Sequence, residues 1–112
     1  MPADKIESSV DLIRVIGDVI MTVDVRRSGL DRGTPDRKKL DDLRDSLDTA
    51  QRKLVRNGID NQTAAFKKHT KALTAQNNTL KTTIGDIAKV AQTLETLVAF
   101  VNVVQKIVAL IP

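Results

Sequence analysis

Cysteine, tryptophan and tyrosine are absent from this chain of 112 residues, and Phe66 and Phe100 are its only aromatic residues. Without cysteine the chain has no disulfide, no thiolate nucleophile and no thiolate metal ligand. Cysteine usage therefore does not indicate whether the protein works in a reducing or an oxidising compartment. Hydrophobic residues make up 41% of the chain but aromatic residues only 2%. The core is therefore expected to be aliphatic, and a chain of this length forms one domain.

Long apolar runs are missing as well. The longest uncharged run covers residues 96–105 and is well short of the roughly 20 residues that a membrane-spanning helix needs. Asp4 and Glu7 stand where a secretory signal would carry basic residues, so no signal peptide is predicted. We expect a soluble, cytoplasmic protein, with export by a dedicated signal-less system as the alternative.

The feature that is present is an apolar repeat at helical spacing, and it predicts an all-α fold. From position 66 onward every seventh residue is apolar: Phe66, Leu73, Leu80, Ile87, Leu94, Val101 and Val108. A repeat of this period keeps one face of a helix against its neighbours.

Two shorter helices precede this repeat. Helix 1 is predicted over residues 4–27, where Ile6, Val10, Ile13, Ile16, Ile20 and Val23 form a stripe that ends before Ser28 and Gly29. Gly17 inside it indicates either a close helix crossing or a functional hinge. Helix 2 is predicted over residues 35–57, because Thr34, Pro35 and Asp36 form a helix start. Its apolar stripe is narrow, and we expect it to be less enclosed than the C-terminal helix.

The third predicted helix covers residues 60–111. Its first half has a weak stripe that includes Thr63, Thr70 and Asn77, whereas the stretch after Ile84 is apolar nearly all round. A break is predicted as an alternative between residues 76 and 86, where Thr83 and Asp86 could cap a restart. Because the heptad phase is kept across this region, we expect any break to be a kink and not a loop.

Two architectures satisfy these patterns. The preferred one is an antiparallel bundle of three to four helices, in which the broad faces of helix 1 and of the C-terminal half meet in the middle. In the other, helices 1 and 2 lie end to end along one very long helix. The compact bundle is favoured because it covers the apolar rows without a partner.

No enzymatic chemistry, metal site, cofactor or small-molecule substrate is indicated. His69 is the only histidine and has no acid or nucleophile placed beside it. Asp41, Asp42 and Asp45 lack the glycine-centred loop of a calcium site, and we expect them to pair along the helix with Arg37, Lys38 and Arg44. The glycines of the linker are not followed by the Lys-Ser/Thr of a phosphate-binding loop.

The net charge of +4 is concentrated in the middle of the chain. Residues 31–82 carry twelve basic and seven acidic side chains. The excess gathers around the predicted turn between helices 2 and 3, where Asp60 is the nearby acid. We define the basic end as Arg52, Lys53, Arg56, Lys67, Lys68 and Lys71, and predict that it is either a solvated surface or a candidate site for an acidic protein, an anionic membrane surface or, less favoured, nucleic acid.

The second candidate site is an apolar helix-partner surface on the C-terminal helix. It comprises Val98, Phe100, Val101, Val104, Ile107 and Val108. In a compact bundle we expect helix 1 to cover most of it.

The predicted function is non-enzymatic protein interaction through helix surfaces, with self or another protein as the partner. The alternative is a lipid-associating protein that releases its apolar C-terminal helix. The helical pattern is similar to that of small secreted hairpins with a Trp-x-Gly turn and of helical pore-forming toxin subunits, but no motif supports a family assignment.

Overall fold

The computed structural model describes residues 6–57, 63–84 and 87–111, and within these ranges the chain is helical without a strand. The helices are α1 (Ser9–Ser28), α2 (Pro35–Asn57), α3 (Ala64–Thr83) and α4 (Val90–Val108), the last preceded by the 3₁₀ turn Ile87–Lys89. The predicted all-α bundle of three to four helices is confirmed.

Side-chain caps determine where three helices begin. The hydroxyl of Ser8 accepts a hydrogen bond from the backbone N–H of Asp11 at 3.2 Å, and the carboxylate of Asp11 accepts one from the N–H of Glu7 at 3.1 Å. This reciprocal cap starts α1 at Ser9, later than predicted. The predicted first residue, Asp4, lies outside the described residues. The hydroxyl of Thr34 accepts a hydrogen bond from the backbone N–H of Arg37 at 3.3 Å and caps α2 as expected.

Thr63 also caps a helix, which corrects its predicted place in the apolar stripe. Its hydroxyl accepts a hydrogen bond from the backbone N–H of Phe66 at 3.1 Å, and α3 begins at Ala64. The predicted start at position 60 lies outside the described residues. Thr70 and Asn77 do occupy the buried face. The hydroxyl of Thr70 donates to the carbonyl of Lys67 at 3.2 Å, so this buried group is satisfied within its own helix.

The expectation that a break between residues 76 and 86 would be a kink is wrong. Helix α3 ends at Thr83, and α4, which begins at Val90, packs back against α3 as its most extensive partner. The heptad phase survives because Leu80 and Leu94 face the same core from different helices. Asp86, which was predicted with Thr83 to cap a restart here, lies outside the described residues.

The four helices form a ring in which α1 contacts α2, α2 contacts α4 and α4 contacts α3. Helix α3 closes the ring on α1, since Arg26 Nε donates to the carbonyl of Ile84 at 2.7 Å. Neighbours in sequence run antiparallel, whereas α1 and α3 run in the same direction, because Arg26 near the C-terminus of α1 contacts Ile84 at the C-terminal end of α3. Helix α4 is therefore covered mainly by α3 and α2, and the predicted contact with α1 is secondary.

Every helix contributes completely buried side chains to one core. Leu12, Leu47, Phe66 and Phe100, one from each helix, are all 0% exposed. Helix α2 also buries Leu40 and Leu54, but it buries four of its 23 residues whereas α4 buries eight of its 19, so α2 is the less enclosed helix, as predicted. The bundle measures 42 × 27 × 18 Å, which excludes the end-to-end alternative because its long helix alone would extend for about 75 Å.

Candidate interaction surfaces

A network of arginines joins α1 to α2 at the end of the bundle where these helices are connected. Arg27 Nη1 lies 2.7 Å from Asp41 Oδ1, and Arg44 Nε lies 3.0 Å from Asp24 Oδ1. Arg37 donates to the backbone carbonyls of Arg27 and Leu30 at 3.0 and 3.1 Å. The prediction that Arg44 pairs along its own helix is therefore corrected, since its partner belongs to α1. The predicted Arg37 to Asp41 pair is present at 3.3 Å.

The network lowers the pKa of Asp41, the acid that lies at its centre. A hydrogen bond from Arg27 holds the pKa of the Asp41 carboxyl below its usual value, and a second hydrogen bond from Arg37 acts in the same direction against the cost of desolvation. The pKa of the Arg27 guanidinium is raised by the same contact. These arginines hold the loop between α1 and α2, in which Gly33 adopts a left-handed φ of 84°.

The basic end is exposed throughout. Arg52, Lys53 and Arg56 lie in the last turns of α2, and Lys67, Lys68 and Lys71 lie in the first turns of α3. Both segments occupy the same end of the bundle, because α2 finishes where α3 begins. Arg52 forms an ion pair with Asp48 at 3.1 Å. Asp60, the predicted nearby acid, lies outside the described residues, and His69 is half-buried.

Helix α3 has an unusual charge distribution. It contains Lys67, Lys68, Lys71 and Lys81 and no aspartate or glutamate. Lys67 and Lys68 are the fourth and fifth residues of this helix and are exposed, so the helix dipole, whose effect falls off within the first turn, does not stabilise these cations.

The predicted helix-partner surface of α4 faces the interior of the bundle. Phe100, Val104 and Ile107 are completely buried and Val101 is nearly so, while Val98 and Val108 are half-buried. The chain's own helices α2 and α3 cover this row. It is not open to an external partner in this conformation.

The outer face of α1 carries an apolar surface that the sequence patterns did not single out. Val10, Met21 and Val25 are 73%, 68% and 75% exposed, and we call these three residues the α1 stripe. Val10 was predicted in the core stripe, and the structure places it outside. Spacings of eleven and four residues put all three on one side of the helix, opposite the buried face. This second apolar period, offset from the core period, was the signal that could have revealed the stripe.

Gly17 lies beside the stripe, on the side of α1 that faces α2. A Cβ atom at this position would lie 3.0 Å from Gln51 Nε2, and the same amide donates a hydrogen bond to the carbonyl of Ile13 at 3.1 Å. The absent side chain leaves room for Gln51 to reach the backbone of α1. The close helix crossing predicted for Gly17 has this physical basis.

Shallow grooves separate some neighbouring helices. One groove of about 530 Å³ lies between α2 and α4 and is lined by Asp45, Thr49, Lys53 and Gln105 among others. Another, of about 320 Å³, lies between α3 and α4 and is lined by Gln76 and Glu95 among others. Among the residues that the structure describes, no group of three or more acidic or histidine side chains is placed to hold a metal ion.

No helix in the described part of the chain combines the length and apolar character that crossing a bilayer requires. Comparison of the chain with protein-family models, curated proteins and solved structures found no match. The functional interpretation is therefore built on the geometry of the helix surfaces alone.

Proposed function

We propose that this protein is a non-enzymatic helical interaction protein and that it binds a protein partner through the outer face of α1. The exposure of the α1 stripe carries this proposal. The bundle has a complete core without Val10, Met21 and Val25. These three side chains lie on the face of α1 that points away from the core, and they are exposed to water. Met21 and Val25 lie one turn apart and form an exposed apolar pair, which is typical of a surface that a partner covers, while Val10 lies on the same face beyond the charged Arg14 and Asp18.

The rest of the exterior supports this choice by contrast. The exposed positions of α2 are mostly charged, and among the described residues only Val55 and Leu110 are large, apolar and exposed beyond the α1 stripe. Removing apolar surface from water contributes about 25 cal/mol per Å², so a partner gains more from α1 than from any other helix. The half-buried Arg27 and Arg44 hold α1 on α2, which presents the stripe on a rigid element.

The proposal is tested by comparing the proteins retained by the purified wild type with those retained by a Met21→Glu, Val25→Glu variant. Both side chains are exposed, so the variant should keep the circular dichroism spectrum and thermal midpoint of the wild type. The matched control is Leu110→Glu, which adds a charge at an exposed apolar residue in the turn after α4. We expect a partner that the wild type and the control bind and the α1 variant loses. Equal binding by all three proteins would refute the proposal.

A second candidate function is association with an anionic membrane surface through the basic end. The observation that favours it is the placement of exposed Lys67, Lys68 and Lys71 at the start of an acid-free helix, at the same end of the bundle as Arg52, Lys53 and Arg56. Exposed lysines attract anionic headgroups, and this attraction weakens as salt screens it. The apolar row of α4 does not support the lipid-associating alternative in the same way, because its release would open the core.

This candidate is tested with vesicles that contain phosphatidylserine, at low and high salt. Wild type is compared with a Lys67→Glu, Lys68→Glu, Lys71→Glu variant, and with a Lys38→Glu, Lys39→Glu control at the opposite end of the bundle. We expect salt-sensitive binding that only the first variant loses. Equal binding by the two variants would show that overall charge, and not the basic end, is responsible, and binding to nucleic acid instead would reassign the surface.

A further inference from the structure

We infer that the basic end docks on an anionic lipid bilayer by inserting apolar side chains, with Val10, Val55 and Leu110 as the residues that enter the lipid. This inference rests on the second candidate function, because it adds insertion to the electrostatic attraction proposed there. The observation that carries it is that exposed apolar residues and exposed cations lie together at one end of the bundle.

Three large apolar side chains are exposed at the basic end. Helix α1 begins at this end and helices α2 and α4 finish there, because α1 and α3 run in one direction and α2 and α4 in the other. Val10 is the second residue of α1, Val55 lies in the last turn of α2, and Leu110 follows the last residue of α4 by two. Among the residues that the structure describes, the other large exposed apolar side chains are Met21 and Val25, nearer the opposite end.

Cations surround these apolar side chains. Arg52, Val55 and Arg56 share one face of α2, because residues three and four apart are neighbours on a helix. Lys106 is exposed one turn before Leu110. In the described part of the chain, the acids nearest to this end are Glu7, Asp11 and Asp48. The residues of the basic end together with Lys106 outnumber them, and the last of these acids is already paired with Arg52 at 3.1 Å.

An anionic bilayer is the partner that this combination favours. Its headgroups attract the cations, and apolar side chains between the cations are stabilised on entering the acyl boundary. The apolar side chains come from three different helix ends, whereas the binding energy of a protein interface is concentrated in one central cluster. Nucleic acid bases stack on aromatic side chains, and Phe66 and Phe100 are both 0% exposed.

The position of the inserting residues predicts how the bundle stands on the membrane. Helix α2 has 23 residues and extends for about 34 Å at about 1.5 Å per residue. The helices therefore run along the longest dimension of the bundle, 42 Å. Docking through the basic end sets this long axis steeply to the bilayer. The opposite end, which includes Thr82 in the last turn of α3, then stays in water.

Single tryptophan reporters test insertion and orientation, because the chain contains no tryptophan. Val55→Trp and the matched control Thr82→Trp both replace exposed, uncharged residues. Each is titrated with phosphatidylcholine vesicles and with vesicles that also contain phosphatidylserine. We expect only Val55→Trp to shift to the blue and gain protection from acrylamide, and only with phosphatidylserine. An unprotected Val55→Trp on vesicle-bound protein would overturn insertion, and protection of Thr82→Trp would overturn the orientation.

Vesicle cosedimentation tests insertion without an added aromatic residue. A Val55→Ser, Leu110→Ser variant keeps the net charge, so we expect it to bind phosphatidylserine vesicles about tenfold more weakly than wild type at both low and high salt, because salt does not screen the apolar contribution. The matched variant is Met21→Ser, Val25→Ser, which should bind as wild type does. A loss in this variant instead would assign the lipid contact to the side of α1 and overturn the inference.

The same assay distinguishes failure of the inference from failure of the second candidate function. If the Val55→Ser, Leu110→Ser variant bound as tightly as wild type, with its fold verified by circular dichroism, insertion would be overturned and the electrostatic association would stand. If wild type did not bind phosphatidylserine vesicles even at low salt, both would be overturned. Binding to polyglutamate or to duplex DNA without binding to these vesicles would assign the cations to an acidic protein or to nucleic acid and overturn both.

Discussion

The contact between Gln51 and the backbone of α1 makes Gly17 the most informative position to substitute. Alanine at this position would improve the intrinsic helix propensity by about 1 kcal/mol. Its Cβ would also lie 3.0 Å from Gln51 Nε2, so the amide would have to move. The displaced amide would lose its 3.1 Å hydrogen bond to the Ile13 carbonyl, which is worth about 0.5–1.5 kcal/mol.

These two effects oppose one another, and Gly17→Ala should therefore change the free energy of unfolding by about 0.5 kcal/mol or less. Gln51→Ala should destabilise by about 0.5–1.5 kcal/mol through the lost hydrogen bond. The Ile13 carbonyl keeps its bond within the helix, so no buried acceptor is left unpaired. In the Gln51→Ala background nothing opposes the added Cβ, and Gly17→Ala should stabilise by about 1 kcal/mol.

Urea unfolding followed by circular dichroism measures all four proteins of this double-mutant cycle. The expected coupling energy between the two sites is about 0.5–1.5 kcal/mol. A control cycle of Thr22→Ala with Gln51→Ala should be additive, because Thr22 is exposed and hydrogen-bonds to Asp18 within its own helix. If Gly17→Ala destabilised equally in both backgrounds, the explanation based on Gln51 would be wrong and the hinge alternative for Gly17 would gain support.

Three further predictions concern the core and the ionic network. Leu47→Ala should destabilise by about 2–5 kcal/mol, as much as Leu94→Ala, because Leu47 is fully buried on α2. Urea unfolding measures both losses, and a clearly smaller loss for Leu47→Ala would contradict the structure. The pKa of Asp41 is lower in the folded state than in the unfolded state. The contribution of its carboxylate to the free energy of unfolding should therefore be complete above the unfolded pKa of about 3.9, and should be lost as the pH falls through the lower folded pKa. Asp41→Asn should therefore be less stable than wild type at pH 7, and this difference should shrink as the pH falls below about 3.9; a difference that stays constant would refute the pairing. Phe100→Trp should emit in the blue without lipid, because Phe100 is 0% exposed; an emission that moved blue only on adding vesicles would show that α4 is released.

Short-range chemistry explains why several features could be predicted correctly. The start of α2 depends on Thr34 and Pro35, which act within one turn of the helix, and α1 ends at Ser28, next to the Gly29 at which a stop was predicted. The buried faces of α3 and α4 could also be predicted, since Leu73, Leu80 and Leu94 repeat with the period of the helix. Candidate surfaces were only partly predictable. The basic end is exposed as its composition suggested, but the α1 stripe was hidden by a core stripe on the same helix.

The amino-acid sequence by itself determined that the chain is helical, which residues cap α2 and end α1, and which face of α3 and α4 is buried. A heptad period specifies a face but not the direction of the chain, so only the tertiary structure decided that α4 turns back on α3. Likewise, spacing along a helix specifies which charges could meet within it. Only packing decided that Arg44 binds Asp24 of another helix and that Val10 lies in water, because both outcomes depend on which neighbour occupies each side of α1.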